Sequence, residues 1–257
     1  MATELQIHPA PTSINERVDY FGNLLHFFTV QEPHRELVVE ARSEVKIEGD
    51  FGPSLPQDSV SWEEAVRLLP RNQTDAGLEA YEFTFDSPRI KQRVEFASYA
   101  RESFTSGRPM VEALLDLTAR IHKDFRFDSK VTNVRTTTDE VFAKRHGVCQ
   151  DFAHFQIACL RSLKLSARYV SGYLRTYPPP GKPRLVGADA SHAWVSAYCP
   201  GFGWIDLDPT NNVVPSTGHV TLAWGRDYGD VSPLYGVIQG GGNHVLNVAV
   251  DIEEIPA

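Results

Sequence analysis

Three short stretches of this 257-residue chain hold residue types that can do covalent chemistry. The first is HGVCQDFAHF, where Cys149 follows Gly147 by two residues at a predicted helix start. A helix N-terminus carries roughly half a positive charge, which favours a thiolate, and its free N–H groups can serve a developing oxyanion. The second is SHAWVSAY, in which His192 lies in a strand of alternating pattern, two residues before Trp194. The third is GWIDLDPTNN, where Asp208 ends a short strand just before Pro209 and Thr210. Asp206, two residues earlier, shares its strand face. Each has a plainer reading when taken alone. A lone cysteine is usually a small core hydrophobe, a strand histidine can be a satisfied core residue, and an aspartate before proline often starts a turn.

Together they have a chemistry that none has singly. A thiolate nucleophile needs an imidazole to take up and return protons, and the imidazole needs a carboxylate or amide to set its tautomer and orientation. A cysteine on a helix, a histidine on a strand and an aspartate on the next strand supply those roles, and a short hairpin can place His192 beside Asp208. A metal site built from Cys149, His154 and Cys159 fails on geometry, because steps of five residues turn a helix by about 140° and scatter the three around it. There is no C-x-x-C and no H-E-x-x-H pattern. No metal and no other cofactor is expected. His154 reads as a packed helix residue. Trp194 and Trp204 are candidate rings of a substrate groove, against the plainer reading of buried rings beside a hairpin. Asp227 and Asp230, in GRDYGD, either cap a turn or border the cleft.

The surrounding pattern predicts the elements that must position these residues. Gly147 breaks one helix, and a longer one follows from about Cys149 to Leu163. ARYVSGYL, HAWVSAYC and GWIDLD read as strands, the last two joined by a turn at Pro200–Gly201. Pro109 opens an earlier helix whose inner face is Val111, Leu114, Leu115, Thr118 and Ile121. Thr137 with Glu140, and Ser61 with Glu64, make capping boxes for two short helices, the latter ending near Leu69–Pro70. A further helix is expected around 92–103. RNQTDAGLEA reads as loop, and YPPPGKPR as an exposed loop, since prolines cannot donate to a sheet. In the N-terminal region, Leu37, Val39, Ala41, Val45 and Ile47 alternate with polar residues and predict a half-buried antiparallel strand. Gly22–Asn23 predicts a hairpin before it. Leu246, Val248, Val250 and Ile252 alternate as a final strand. The order β, then α-rich, then β argues an α+β fold. It comprises an N-terminal β subdomain (1–50), a linker with short helices (51–104), a core (105–225) and a C-terminal segment (226–257).

Composition narrows the function classes. With 42% hydrophobic and 23% charged residues, the chain is globular rather than disordered, and it is long enough to bury a core without disulfides. The formal net charge of −8 argues against nucleic acid as a partner, because phosphate binding draws on Lys and Arg. No window is long and apolar enough for a transmembrane helix, so no membrane association is expected. MATELQIHPAP lacks the basic and apolar regions of a secretory signal, and three cysteines do not suggest a disulfide framework. A reducing, cytoplasmic setting is the expectation.

The motifs GVCQDFAHF, SARYVSGYL, DASHAWVSAYCPGFGWIDLDPTNN and GRDYGDVSPLYGV occur in this order from about 133 to 237, and they resemble the bacterial branch of the transglutaminase-like superfamily, often described as cysteine proteases. VDYFGNLLHFFTVQEPHRELVVEARSEV is similar to the small β domain that precedes that core. The resemblance implies a papain-like α+β core, with the cysteine-bearing helix packed against an antiparallel sheet. It places the nucleophile on Cys149, the general acid/base on His192 and the orienting aspartate on Asp208. It implies acyl transfer at an amide of a peptide or protein through a thioester, released either to water, as in a peptidase, or to an amine, as in a protein-glutamine transamidase. A non-catalytic peptide-binding module on the same fold is the alternative from another class. The resemblance leaves two departures: the chain is expected to start partway into the family's N-terminal domain, and it has Lys164-Leu165-Ser166 where the family usually shows Gly-Ile-Pro. No motif marks the oxyanion donor. The Cys149 backbone N–H is the physical candidate, with Gln150 or an upstream side chain also possible.

Overall fold

In the computed structural model, which describes residues 2–47, 55, 58–128, 136–176, 189–240 and 242–255, the chain divides into two units, 1–50 and 51–257. In the first unit, β1 (Ala2–His8) and β4 (Val38–Glu44) pair antiparallel, and so do β2 (Ser13–Val18) and β3 (Leu24–Thr29). The predicted hairpin turn is present. Asp19 Oδ1 accepts the N–H groups of Phe21 and Asn23 at 2.8 Å each, and Gly22 takes φ +87°, which a side chain would strain. Half-burial of the alternating segment is found only beyond the strand, at Val45 and Ile47, because β4 itself is exposed along its whole length. Two-stranded ribbons have too few layers to bury a face.

The second unit carries the site. Its sheet is antiparallel in the order β10-β7-β8-β9, with β7 (Ala167–Leu174), β8 (Ala190–Cys199), β9 (Gly203–Leu207) and β10 (His219–Gly225). Ala193, Val195, Ala197 and Cys199 of β8 join the same buried core as the helix α6 (Cys149–Ser162). The alternate residues take the other side of the strand, in register Gly172↔His192, Val170↔Trp194 and Arg168↔Ser196 with β7. Before α6 come α1 (Trp62–Leu68), α2 (Asp75–Glu82), α3 (Val94–Arg101), α4 (Met110–Asp124) and α5 (Thr138–Lys144). The two-residue strands β5 (Arg126–Phe127) and β6 (His146–Gly147) pair in parallel. Phe155 of α6 contacts the rings of Phe96, Tyr99, Phe125 and Phe142 at centroid distances of 4.8–5.5 Å, so the helix is seated by aromatic packing from α3, α4's end and α5.

Several helix expectations are met and others corrected. Ser61 caps α1, and Thr137 and Glu140 form a reciprocal capping box on α5. RNQTDAGLEA is not loop, since Thr74 caps α2 through the Gly77 N–H. Gly77 serves close packing in it, since a Cβ there would lie 2.2 Å from Asn72 Cγ. On α4 the inner face uses Leu117, while Leu115 is 37% exposed. Helix α5 ends at Arg145, which takes φ +56° and stacks on Tyr99, Phe125 and Phe142; Gly147 lies beyond the break. The final strand does not form: among residues 246–252 only Val250 makes a single bridge, to Asp189. Strand β10 occupies the sheet edge instead, an element the sequence pattern did not single out. YPPPGKPR lies outside the described residues.

Candidate active site

The start of α6 is set by a backbone trick around Gly147. Asp151 folds back so that its Oδ2 accepts the Val148 N–H at 2.9 Å. A Cβ on Gly147 would lie 2.8 Å from Asp151 Cβ and Oδ2, so only glycine leaves room for this cap. Val148 O already accepts the Asp151 and Phe152 N–H groups. The N–H groups of Cys149 and Gln150 are then the first-turn donors that a helix leaves without an intrahelical acceptor. Cys149 is partly exposed, whereas Cys159 and Cys199 are buried, and burial pushes both of those thiols up, Cys199 to about 11. Gln150 is half-buried on the same turn.

His192, near the start of β8, reaches both other members of the predicted triad. Its Nε2 lies 2.7 Å from Asp208 Oδ2, and Cys149 is among the groups whose interaction with the ring favours its charged form. Burial works against a charged ring here, but the hydrogen bonds and charges of Asp208 and Cys149 outweigh it and raise His192 to about 9. Asp208 is completely buried. Burial alone would favour its protonation, yet hydrogen bonds from His192, His219 and Asn211 hold it far below the usual carboxylate range.

A tight loop presents Asp208. Its backbone exchanges hydrogen bonds with Val213, and Asn212 takes φ +54° to close the turn. Oδ1 accepts the N–H groups of Thr210 (2.9 Å) and Asn211 (3.2 Å), while Oδ2 accepts Asn211 Nδ2 (2.7 Å) and His219 Nε2 (3.2 Å) as well as His192. His122, from α4, anchors the same loop through the Thr210 carbonyl at 2.9 Å. The ligand atoms of His192, Asp208 and His219 lie within 4.8 Å of one another, a spacing that a cation site also shows. Hydrogen bonding through the shared Oδ2 accounts for their convergence.

The structure sorts the remaining sequence candidates. Asp206 accepts Trp194 Nε1 at 3.1 Å, so the two carboxylates of one strand face serve two different rings. Trp194 is fully buried and packs against His192 (6.2 Å) and His219 (5.3 Å), which removes it from any groove and makes it the floor beneath the imidazoles. Gly172 makes room for it, since a Cβ there would lie 2.4 Å from the indole. Trp204 is not brought to the site. It pairs with Tyr198, six residues along β8 from His192 and so about 20 Å away, where it packs on Phe83 and Arg168. His154 is a packed helix residue whose Nε2 accepts the Tyr228 N–H, and burial keeps it neutral. Asp227 caps the turn at Tyr228–Asp230, and Asp230 receives Arg226; both are turn residues. Sequence reasoning missed His219 and the role of Asn211. Asn211 sits in a quoted motif, but nothing in the local pattern around His219 marks it.

Residues 97–209 match the transglutaminase-like superfamily, and residues 1–46 match the bacterial transglutaminase-like N-terminal region. A protein of Mycobacterium tuberculosis described as uncharacterized is 42% identical over 98% of this chain and 81% of its own length. The chain belongs to the transglutaminase-like superfamily. The matched core contains Cys149, His192 and Asp208 and stops before His219. The crystal structure of a protein from Cytophaga hutchinsonii, described as a putative cysteine protease, superposes with a TM-score of 0.64 at 25% identity, over 90% of this chain and 72% of that one. A protein-glutamine gamma-glutamyltransferase of Pseudomonas aeruginosa is 32% identical over 46% of this chain, which is 18% of its own length. Among the described residues, no helix of this superfamily member is long and apolar enough to cross a membrane.

Proposed function

We propose that the protein is a thiol-dependent acyl-transfer enzyme acting on amide bonds of peptides or proteins, working as a cysteine peptidase-type hydrolase. The observation that carries this reading is the buried His192–Asp208 pair at 2.7 Å, with Cys149, on the first turn of a helix, among the groups that favour the charged imidazole. In the proposed cycle the Cys149 thiolate attacks the amide carbonyl carbon, forming a C–S bond. The carbonyl oxygen gains negative charge facing the Cys149 and Gln150 N–H groups. As the intermediate collapses, the C–N bond breaks and the His192 imidazolium gives its proton to the departing amine. Water then attacks the thioester while His192 takes a proton from it. Release of the acid breaks the C–S bond and returns the thiolate–imidazolium pair. Asp208 keeps the imidazole oriented throughout and stabilises its charged form.

Transfer to an amine instead of water is the second reading, favoured by the glutamyltransferase among the relatives. The same thioester serves both, and only the acceptor differs. A screen of amide substrates with and without a primary amine separates them: released acid supports hydrolysis, and an amine-linked product supports transamidation. Turnover that survives Cys149→Ala overturns both. Iodoacetamide labelling gives a check that needs no substrate. Cys149 should be alkylated in the folded protein well before Cys159 and Cys199, and His192→Ala should slow that reaction. Equal labelling rates in the two proteins would favour a binding module that has lost its chemistry.

A further inference from the structure

Asp208 has more hydrogen-bond donors than an orienting carboxylate needs. Five reach it, and the two imidazoles among them converge on one oxygen. His192 Nε2 stands 2.7 Å and His219 Nε2 3.2 Å from Oδ2, with the ring centroids 5.9 Å apart. An ionised carboxylate only accepts, so His219 must carry its proton on Nε2. The Ser216 N–H faces His219 Nδ1 from 3.5 Å, which suits the same tautomer. Trp194 packs edge-on against His219 at 5.3 Å and leaves the ring little freedom to turn away. His219 is buried at the start of β10, the edge strand beyond β7 and across it from β8.

We propose that His219 is a positioning residue of this site: by sharing Asp208 Oδ2 with His192, it limits how tightly the catalytic imidazole holds its proton. A carboxylate oxygen that already receives His219 and Asn211 is a weaker acceptor for His192 than one left to His192 alone. The imidazolium is therefore held firmly enough to persist beside the thiolate, yet loosely enough to give its proton to a leaving amine. The titratable groups facing His192 are Cys149 from α6, Asp208 from the end of β9 and His219 from β10. Strand β7 presents Gly172 opposite it, and Asp206 is spent on Trp194. Thr210 and Asn211 hold Oδ1 through the backbone, so the carboxylate stays in place when His219 is changed.

The proposal rests on the acyl-transfer reading of the same site, and its test is chosen to fail separately. His219→Phe keeps a ring against Trp194 and removes the donor. His219→Gln returns an amide N–H at about the reach of Nε2. The measurement is the titration of the His192 ring by NMR, together with the pH dependence of Cys149 alkylation and, once a substrate is found, of kcat. In His219→Phe the His192 titration and the alkaline limb of alkylation should move upward by about half a pH unit to one pH unit, and kcat should fall roughly tenfold with KM unchanged. His219→Gln should behave as wild type. An unchanged or lowered His192 titration in His219→Phe, or a His219→Gln protein that behaves like His219→Phe, overturns the proposal. If the titration moves as stated while no Cys149-dependent turnover exists, the acyl-transfer reading fails and the role of His219 stands.

Discussion

Helix α6 has a buried polar cluster at each end, about 18 Å apart along its axis, and the two solve opposite problems. At the N-terminus, the charge of Asp208 is divided among donors that include His192, a ring whose protonation changes in the proposed cycle. At the C-terminus, Arg161 is fully buried, and its guanidinium donates to the carbonyls of Phe83, Ala167 and Arg226 and to the Ser87 hydroxyl. Burial lowers Arg161 only to about 10, so it stays charged at neutral pH, with Asp227 and Asp86 favouring the charged form. Its acceptors are mostly backbone, fixed in the segment before α3, the start of β7 and the turn after β10. It therefore ties three parts of the unit together and has no proton to exchange. The difference teaches that burial of charge is not itself a mark of chemistry. What separates the two clusters is a titratable partner whose charged form a partly exposed cysteine also favours.

That comparison breaks most sharply at the nucleophile. Cys149→Ala should abolish turnover, by at least about a thousandfold, with an unfolding midpoint close to wild type, because a half-exposed thiol carries little packing. Asp208→Asn should lower kcat by roughly 10²–10⁴-fold through loss of the imidazole's orientation, measured at saturating substrate. Arg161→Met should invert the pattern. It should cost about 3–5 kcal/mol in urea unfolding, since several buried carbonyls lose their donor at roughly 1–3 kcal/mol each, while the protein that remains folded keeps its activity. An Arg161→Met protein of normal stability would remove the distinction between the clusters. Gly172→Ala tests the join between sheet and site. The added Cβ meets Val220 O and the Trp194 ring at 2.3 and 2.4 Å, so a loss of about 1–3 kcal/mol is expected, with a several-fold fall in kcat as the indole shifts beneath the imidazoles.

The smallest effect comes from pH alone. His192 binds its proton more tightly in the folded protein than at its ordinary value of 6.5. Its stabilisation is therefore whole below about pH 6.5 and drains away as pH rises through about 9. Unfolding midpoints should decline across that window in wild type and decline less in His192→Ala. The Asp208 contribution has the opposite sense: it is present at neutral pH and is lost only in strong acid, as that carboxylate takes up its proton.

Much of the second unit was legible because its signals are local. Capping residues announced α1 and α5, Gly147 preceded the helix of Cys149, β-branched and aromatic residues marked β7, and alternation marked β8 and β9. Failures arose where a partner distant in sequence decides the outcome. RNQTDAGLEA read as loop, yet α2 forms there with Gly77 packed close against Asn72. Val250 and its neighbours alternate like a strand, yet only one bridge forms, because alternation reports what a segment could pair with and not whether an edge is available. Strand β10 takes the edge beside β7. In the N-terminal unit the hairpin and β4 were legible, while β1 and the burial of the strands were not, since burial depends on a second layer.

The sequence by itself determined the chemistry on offer: a cysteine at a helix start, a histidine on a strand and an aspartate closing the next, in an order the transglutaminase-like superfamily shares. Residue type and short-range period suffice for that. Tertiary structure decided how the site is tuned. It placed Trp194 beneath the imidazoles and Trp204 at the far end of the hairpin, gave Asp206 to an indole, and set His219 beside His192 on one carboxylate oxygen. Those outcomes depend on strand order and register, which bring residues from β8, β9 and β10 within hydrogen-bond reach, and no periodicity along the chain encodes which rings will meet.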